Sequence, residues 1–322
     1  MNAPSTTMDA TVFHRAVEAA IRAPSMHNTQ PWRFRVRDGG LDVLADPSRT
    51  LPVADPHGWA LRIAGGAAIF NARLAFAVAG RPAQVRLRPD ATEPDLLARL
   101  VPGPARPATP DEIALHAAVS RRHSNRRPFD PQPVPAEVRR ALIAAAATEG
   151  ACLDLLIGRG PLALVAEVVR AADTVLVRDA RYRDELTAWS RTAEADDGVS
   201  LAAGGPSPEP QDLLAMRDFG GPTRAPGRDF ESDPLVAVLS TAGDTVHDQL
   251  VAGQALQRIL LTATVPGLAS SMLSQPIEVP AARERLRGGL SRRGCPQMVL
   301  RIGFGQPGFP TPRRPVTEVL DA

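Results

Sequence analysis

The chain has 322 residues, 44% of them apolar, with 37 basic and 35 acidic side chains and a formal net charge of +2. That length and apolar content suffice for one large or two modest cores, while near-balanced charge and 4% aromatics give no basic, aromatic-laced stripe for nucleic acid. Two distant cysteines, Cys152 and Cys295, form no metal or redox motif, no basic-then-apolar leader opens the chain, and the longest apolar run, 141–147, is far short of the roughly 20 residues of a membrane span. The expectation is a cytoplasmic protein with no membrane partner. All the cations are arginine, for no lysine occurs.

Apolar residues at Val12, Phe13, Ala16, Val17, Ala20 and Ile21 form one stripe and predict a helix over 9–22, ended by Pro24. "WRFRVRDGGLDVLAD" then alternates apolar and charged residues around Asp38-Gly39-Gly40, which predicts a β-hairpin. The stretch 59–79 is apolar nearly all round and predicts a core helix. A strand, "QVRLRPD", and a Pro-rich stretch, "VPGPARPATP", close this first part near Thr109. The second part repeats the order, with a helix "DEIALHAAVS", the segment "RRHSNRRPFDPQPVP", a helix opened by Pro135-Ala136-Glu137, and a strand "ACLDLLIG". A long insertion follows, about 161–233, with a helical patch at 182–189 and a Gly/Pro/Ser-rich centre. Loops of that length serve as covers or are disordered, and the amphipathic "RYRDELTAWS" suits a lid. Regular patterning returns with the strand "PLVAVLST", a helix over 245–265, the turn "PGLASSML", a short helix "AARERLRGG", the strand "PQMVLRIGFG" and the tail "TPRRPVTEVL".

"APSMHNTQPW" resembles the Pro-Ser-x-x-Asn-x-Gln-Pro-Trp motif of the FMN-dependent nitroreductase family, and "RRHSNRRPFDPQPV" resembles that family's Arg-x-Ser-x-Arg motif. Ordinary members carry the arginine motif first, whereas here it follows. With "GLASSML", "TPRRPVTEVL" and the insertion, the whole pattern is similar to the Acg-type subgroup, in which one chain contains two nitroreductase-like halves. The resemblance implies an α+β fold of two fused halves, each a helix-flanked, mainly antiparallel sheet: 1–109 with the Pro-Ser loop and 110–322 with the phosphate-binding arginines. It implies a pseudo-dimeric monomer, open to homodimerisation, with one FMN per chain.

The same resemblance assigns the FMN phosphate to Arg122 and Arg126, with Arg313 and Arg314 from the tail, since guanidinium forks suit a dianion. It gives Ser124 to the phosphate or pyrimidine edge, Ser25 and Asn28 to the isoalloxazine or ribityl, and Pro24 and Met26 to the apolar ring face. Gly267, Leu268 and Ala269 would form a turn whose backbone N–H groups approach the flavin, Ala269 standing where members often have glycine. His27 is expected to be structural, and Trp32 and Trp59 to anchor the core. No catalytic side chain or metal is called for, because the flavin carries the chemistry: NAD(P)H reduces it, and it reduces a nitroaromatic, quinone or similar small-molecule acceptor. The alternative is a chain that sequesters or stores FMN, or senses redox state with it, under a lid that excludes nicotinamide.

Overall fold

The computed structural model describes residues 10–192, 194–209, 212–223, 234–290 and 294–321; Asp9, at the expected start of the first helix, and 224–233 of the insertion lie outside them. Helix α1 (Ala10–Ala20) buries the stripe Phe13, Ala16, Val17 and Ala20. The hairpin follows as β1 (Trp32–Arg37) and β2 (Gly40–Ala45), paired Trp32↔Ala45 to Arg37↔Gly40. Its two turn residues, Asp38 and Gly39, have φ of +50° and +69°, the left-handed pair that matches strand twist. Helix α2 (Trp59–Val78) is followed by β3 (Ala83–Leu87), β4 (Leu96–Pro102), α3 (Pro110–Ala118), which Thr109 and Glu112 cap reciprocally, and α4 (Ala136–Thr148). Next come β5 (Cys152–Leu156), α5 (Arg159–Arg178), α6 (Ala180–Ala188), β6 (Ser190–Arg191), β7 (Val199–Ser200) and α7 (Leu201–Gly204). The chain ends with β8 (Leu235–Thr241), α8 (Val246–Thr264), β9 (Ala269–Leu273), α9 (Gln275–Glu278), α10 (Pro280–Gly289), β10 (Cys295–Gly303), α11 (Val316–Val319) and β11 (Leu320–Asp321).

The architecture is α+β. One sheet has the order β11-β1-β2-β4-β3, antiparallel except where β11 lies parallel to β1, Phe34 opposite Leu320. The other, β5-β8-β10-β9, is antiparallel throughout. Helices α2 and α8 pack between them, and their backbones approach at Gly66 and Gly253. A Cβ on Gly66 would collide with the Leu250 carbonyl and the Gly253 Cα, so the crossing requires glycine. Buried amides fasten this centre: Asn71 Nδ2 donates to the Ala19 carbonyl (2.9 Å) and Gln257 Nε2 to Asn71 Oδ1 (2.8 Å). By length and composition α2 could cross a membrane, and 78% of its most apolar window is buried inside the fold. Trp32 and Trp59 are core residues as expected.

Three elements depart from the sequence expectations. The first part of the supposed insertion is α5, a 20-residue helix that buries Leu162, Val165, Ala166, Val169 and Ala172 in the core. Only the chain from β6 onward behaves as a cover. Strand β4 was not expected, because Pro94 and Pro102 bracket it and read as loop. The "ASSML" taken for a turn is β9, whose small residues pair with β10 from Ala269↔Gly303 to Leu273↔Val299.

Candidate functional site

The loop after α1 supplies one wall. Met26–Asn28 forms a single 3-10 turn in which His27 and Asn28 hold φ of +50° and +55°, and after Thr29 the next residue, Gln30, returns to +52°, left-handed backbone that non-glycine residues adopt only under constraint. The constraint comes from hydrogen bonds. Ser25 Oγ accepts from the Gln30 N–H (2.9 Å). Asn28 Nδ2 donates to the carbonyls of Gly198 (3.0 Å) and Pro312 (3.1 Å), while its Oδ1 accepts from Arg313 Nη1 (2.9 Å). Gln30 Nε2 reaches the Asp196 carbonyl (2.7 Å) and its Oε1 accepts from the Arg314 N–H (2.8 Å). The motif's amides thus pin the loop to both the covering segment and the C-terminal tail.

Beside this loop lies a group of cations, Arg122 buried and Arg313 partly exposed. Arg122, 4% exposed, donates one bond from Nη2 to the Arg22 carbonyl (3.3 Å), and its Nε and Nη1 have no partner. Arg313 donates to Asn28, to nearby tail oxygens and to the Ala23 carbonyl (3.2 Å), and its Nε is likewise unbonded. Among the described residues neither has a carboxylate partner. Burial therefore holds the Arg122 guanidinium down to about 10, and burial with the charges of Arg122 and Arg22 holds Arg313 down to about 9. His123 falls to about 4 through burial and the same three arginines. Cations made this unfavourable, with unused donors facing no acid, fit a multivalent anion such as a phosphate monoester. Arg314 stands apart from them: its Nη1 lies 3.4 Å from Asp46 and its Nε 3.5 Å from Glu318, so its charge is already matched.

A cavity of about 70 Å³, smaller than a typical small-molecule site, opens beyond Ala23. Pro24, Ser25 and Met26 line it, and so does Arg126, which the resemblance puts with Arg122 on the phosphate. So do Met216, Met272 and Met298, which with Met26 are all the methionines of the described residues, giving a soft, adaptable apolar wall. Arg126 is partly buried with no acid partner among the described residues; its Nη1 donates to the Ala203 carbonyl (2.8 Å) and its guanidinium lies 4.7 Å from the Phe219 ring centre. Burial, reinforced by Arg217 and Arg301, holds it down to about 10.

Met216, Arg217 and Phe219, from the segment after α7, close one side of the cavity as a roof. The Gly198 N–H donates to the Asn28 carbonyl (3.3 Å), Arg49 pairs with Asp197, and Arg217 reaches down to His27 Nε2, Ser274 Oγ (3.3 Å) and Glu278 Oε1. A guanidinium only donates, so His27 Nε2 accepts and the ring's proton sits on Nδ1. Burial first, then Arg217 and Arg126, drives the His27 pKa well below its usual value and keeps the imidazole neutral. His27 is structural, as expected, though it also lines the cavity.

Ser124 forms a parallel bridge with Ser270, and the Asn125 N–H donates to the Ser270 carbonyl (2.8 Å), which sets the arginine motif against β9. Arg301, fully buried, holds it there through the carbonyls of Asn125 (3.0 Å) and Arg127 (2.9 Å). Gly267 has the expected positive φ, +89°. The N–H groups of Gly267 and Leu268 close α8 on the Thr264 and Ala263 carbonyls (3.0 Å each), so they point into the helix end; Ala269 opens β9. Sequence reasoning missed Arg217, Phe219 and Arg301. Only the alternation in "MRDF" within a polar stretch hinted at the first two.

No protein-family model matches the chain. A Mycobacterium tuberculosis H37Rv protein named an NAD(P)H nitroreductase is 33% identical over 323 residues, covering 97% of this chain and 92% of its own. The Acg protein of the same strain, named likewise, is 29% identical over 325 residues, 98% of this chain and 97% of its own. Among solved structures, the FMN-dependent nitroreductase NfnB of Mycobacterium smegmatis in complex with NADPH is 19% identical, with a TM-score of 0.40 over 64% of this chain and 96% of that one. With a third of its residues shared along nearly the full length of both sequences, the chain belongs to the nitroreductase family that includes Acg.

Proposed function

We propose that the chain is an FMN-binding oxidoreductase of the nitroreductase type, taking electrons from NAD(P)H and passing them to a nitroaromatic, quinone or similar small acceptor. The observation that carries this reading is the pair of buried Arg122 and partly buried Arg313, without an acid partner among the described residues and with unbonded nitrogens, beside a cavity walled by methionines. The phosphate belongs on Arg122 and Arg313, and the ring belongs in the cavity against Pro24, Met26 and Arg126. Bound FMN would supply the two-electron chemistry. The protein's own contribution is to hold the phosphate, to present a cation at the ring edge and to exclude water under the roof. We further propose that the stretches 1–109 and 110–322 are two nitroreductase-like halves making a pseudo-dimer, with the arginines of one and the Pro-Ser loop of the other sharing one FMN per chain.

A second reading has a specific observation behind it. The covering segment is fastened at both ends, by Asn28 to Gly198 and by Arg217 to Glu278, and a roof that stays shut bars nicotinamide. Such a chain stores FMN. Anaerobic mixing of the purified yellow protein with NADH or NADPH separates the two: rapid bleaching, reversed by a quinone, establishes the oxidoreductase. A flavin that dithionite reduces and neither nicotinamide does establishes the store.

A further inference from the structure

The roof carries a charge that flavin retention alone does not need. Arg126 and Arg217 both line the cavity, and each stands in the other's field. Arg217 is 8% exposed. Burial opposes its charge, yet Glu278, Tyr182 and Asp173 more than restore it, so it is a fixed cation. Glu278 matches only this one of the two; its second oxygen, Oε2, has no hydrogen-bond partner. With His27 neutral, the wall presents two guanidinium groups, and Glu278, outside the lining, pairs with one of them, leaving a net positive surface in a mostly apolar enclosure.

We propose that Arg217, delivered by the covering segment, makes this site bind reduced FMN more tightly than oxidised FMN and so sets the cofactor's reduction potential. The proposal rests on the FMN reading above. Hydride transfer breaks the nicotinamide C4–H bond and forms the flavin N5–H bond, FMN + NAD(P)H → FMNH⁻ + NAD(P)⁺, so the ring gains one negative charge and no proton is consumed. A fixed cation at the ring is indifferent to the neutral form and favours the anion. By the thermodynamic cycle, tenfold tighter binding of the reduced form raises the potential of a two-electron couple by about 30 mV.

The test measures the dissociation constant of oxidised FMN and the midpoint potential of the bound cofactor in the wild-type chain, Arg217→Gln, Arg217→Lys and Glu278→Gln. The wild-type potential should lie above that of free FMN by the equivalent of at least about tenfold preference for the reduced form. Arg217→Gln leaves the Glu278 charge unpaired beside the site and should lower the potential; Glu278→Gln frees the Arg217 charge and should raise it; Arg217→Lys should stay near wild type. Both neutralising changes break the same ion pair, so a merely structural role would move them in the same direction. Equal signs, or no shift in Glu278→Gln, overturn the proposal, and the latter variant suffices if Arg217→Gln does not fold. A wild-type chain that takes up no oxidised FMN overturns the FMN reading with it. A chain that binds FMN at an unshifted potential overturns this proposal alone.

Discussion

Burying a guanidinium against a carbonyl oxygen alone costs stability, and Arg122 does so while Arg313, partly exposed, also lacks an acid partner among the described residues. Two consequences follow at the level of single residues. Arg122→Met should raise the melting temperature of the FMN-free protein, because it removes an unmatched buried charge, while weakening FMN binding about tenfold or more, the worth of a charge-assisted phosphate contact; calorimetry with and without FMN reads both, and a lower melting temperature with unchanged affinity contradicts the assignment. His123 gives the pH dependence. Its folded pKa, about 4, lies below the ordinary 6.5, so the unfolded chain binds the proton first and stability declines as pH falls from about 6.5 toward about 4. Inorganic phosphate neutralises the arginines and should shrink that decline, whereas identical pH profiles with and without phosphate would remove His123 from the cluster. The residues legible in the sequence were those in compact motifs: Pro24, Ser25 and Met26 line the cavity and Arg122 is buried, while Arg126, expected with Arg122 on the phosphate, lies on the cavity wall instead. Arg313 and Arg314 were not separable, because adjacent residues in an extended tail point in different directions, one to the cluster and one to Asp46 and Glu318.

Helices α2 and α8 show what a whole element contributes. Their crossing at Gly66 and Gly253 is set by backbone contact, so Gly66→Ala should cost about 1–3 kcal/mol, the usual range for overpacking, read as a lower urea midpoint at unchanged slope. A loss below about 0.5 kcal/mol would show that the crossing opens freely. The covering segment is held by fewer links. Asn28→Ala removes its bonds to Gly198, Pro312 and Arg313 together, and should speed protease cleavage between Ser190 and Gly221 several-fold while FMN protects the wild-type chain. Equal cleavage rates would mean that Asn28 does not hold the roof. Helix α1 was legible from its single buried stripe, α2 because it is apolar nearly all round, and the hairpin from the alternation of β1 around the Asp38-Gly39 turn. The spacing Leu162, Val165, Ala166, Val169 and Ala172 carried the same signal for α5, overshadowed by the Gly/Pro-rich stretch that follows. Strand β9 was hidden for a different reason: its Ala and Ser residues pair with β10 without any apolar alternation to mark them.

Across the whole molecule the site exists only by long-range closure. The loop near residue 25, the arginine motif near 122, the roof near 217 and the tail near 313 meet although nothing local in the sequence joins them, and β11 returns to lie along β1. The family motifs made the first two legible. The roof's Arg217 was not, because its partners His27 and Glu278 lie 190 and 61 residues away. The account stands or falls on the arginine cluster as a phosphate seat, and the most direct measurement compares FMN with riboflavin, which lacks the phosphate, by fluorescence titration of the wild-type chain and of Arg122→Ala/Arg313→Ala. Two charge-assisted contacts predict FMN binding about a hundredfold or more tighter than riboflavin in the wild type, and a ratio near one in the double variant with riboflavin affinity retained. Equal affinity of the wild-type chain for the two flavins would contradict it.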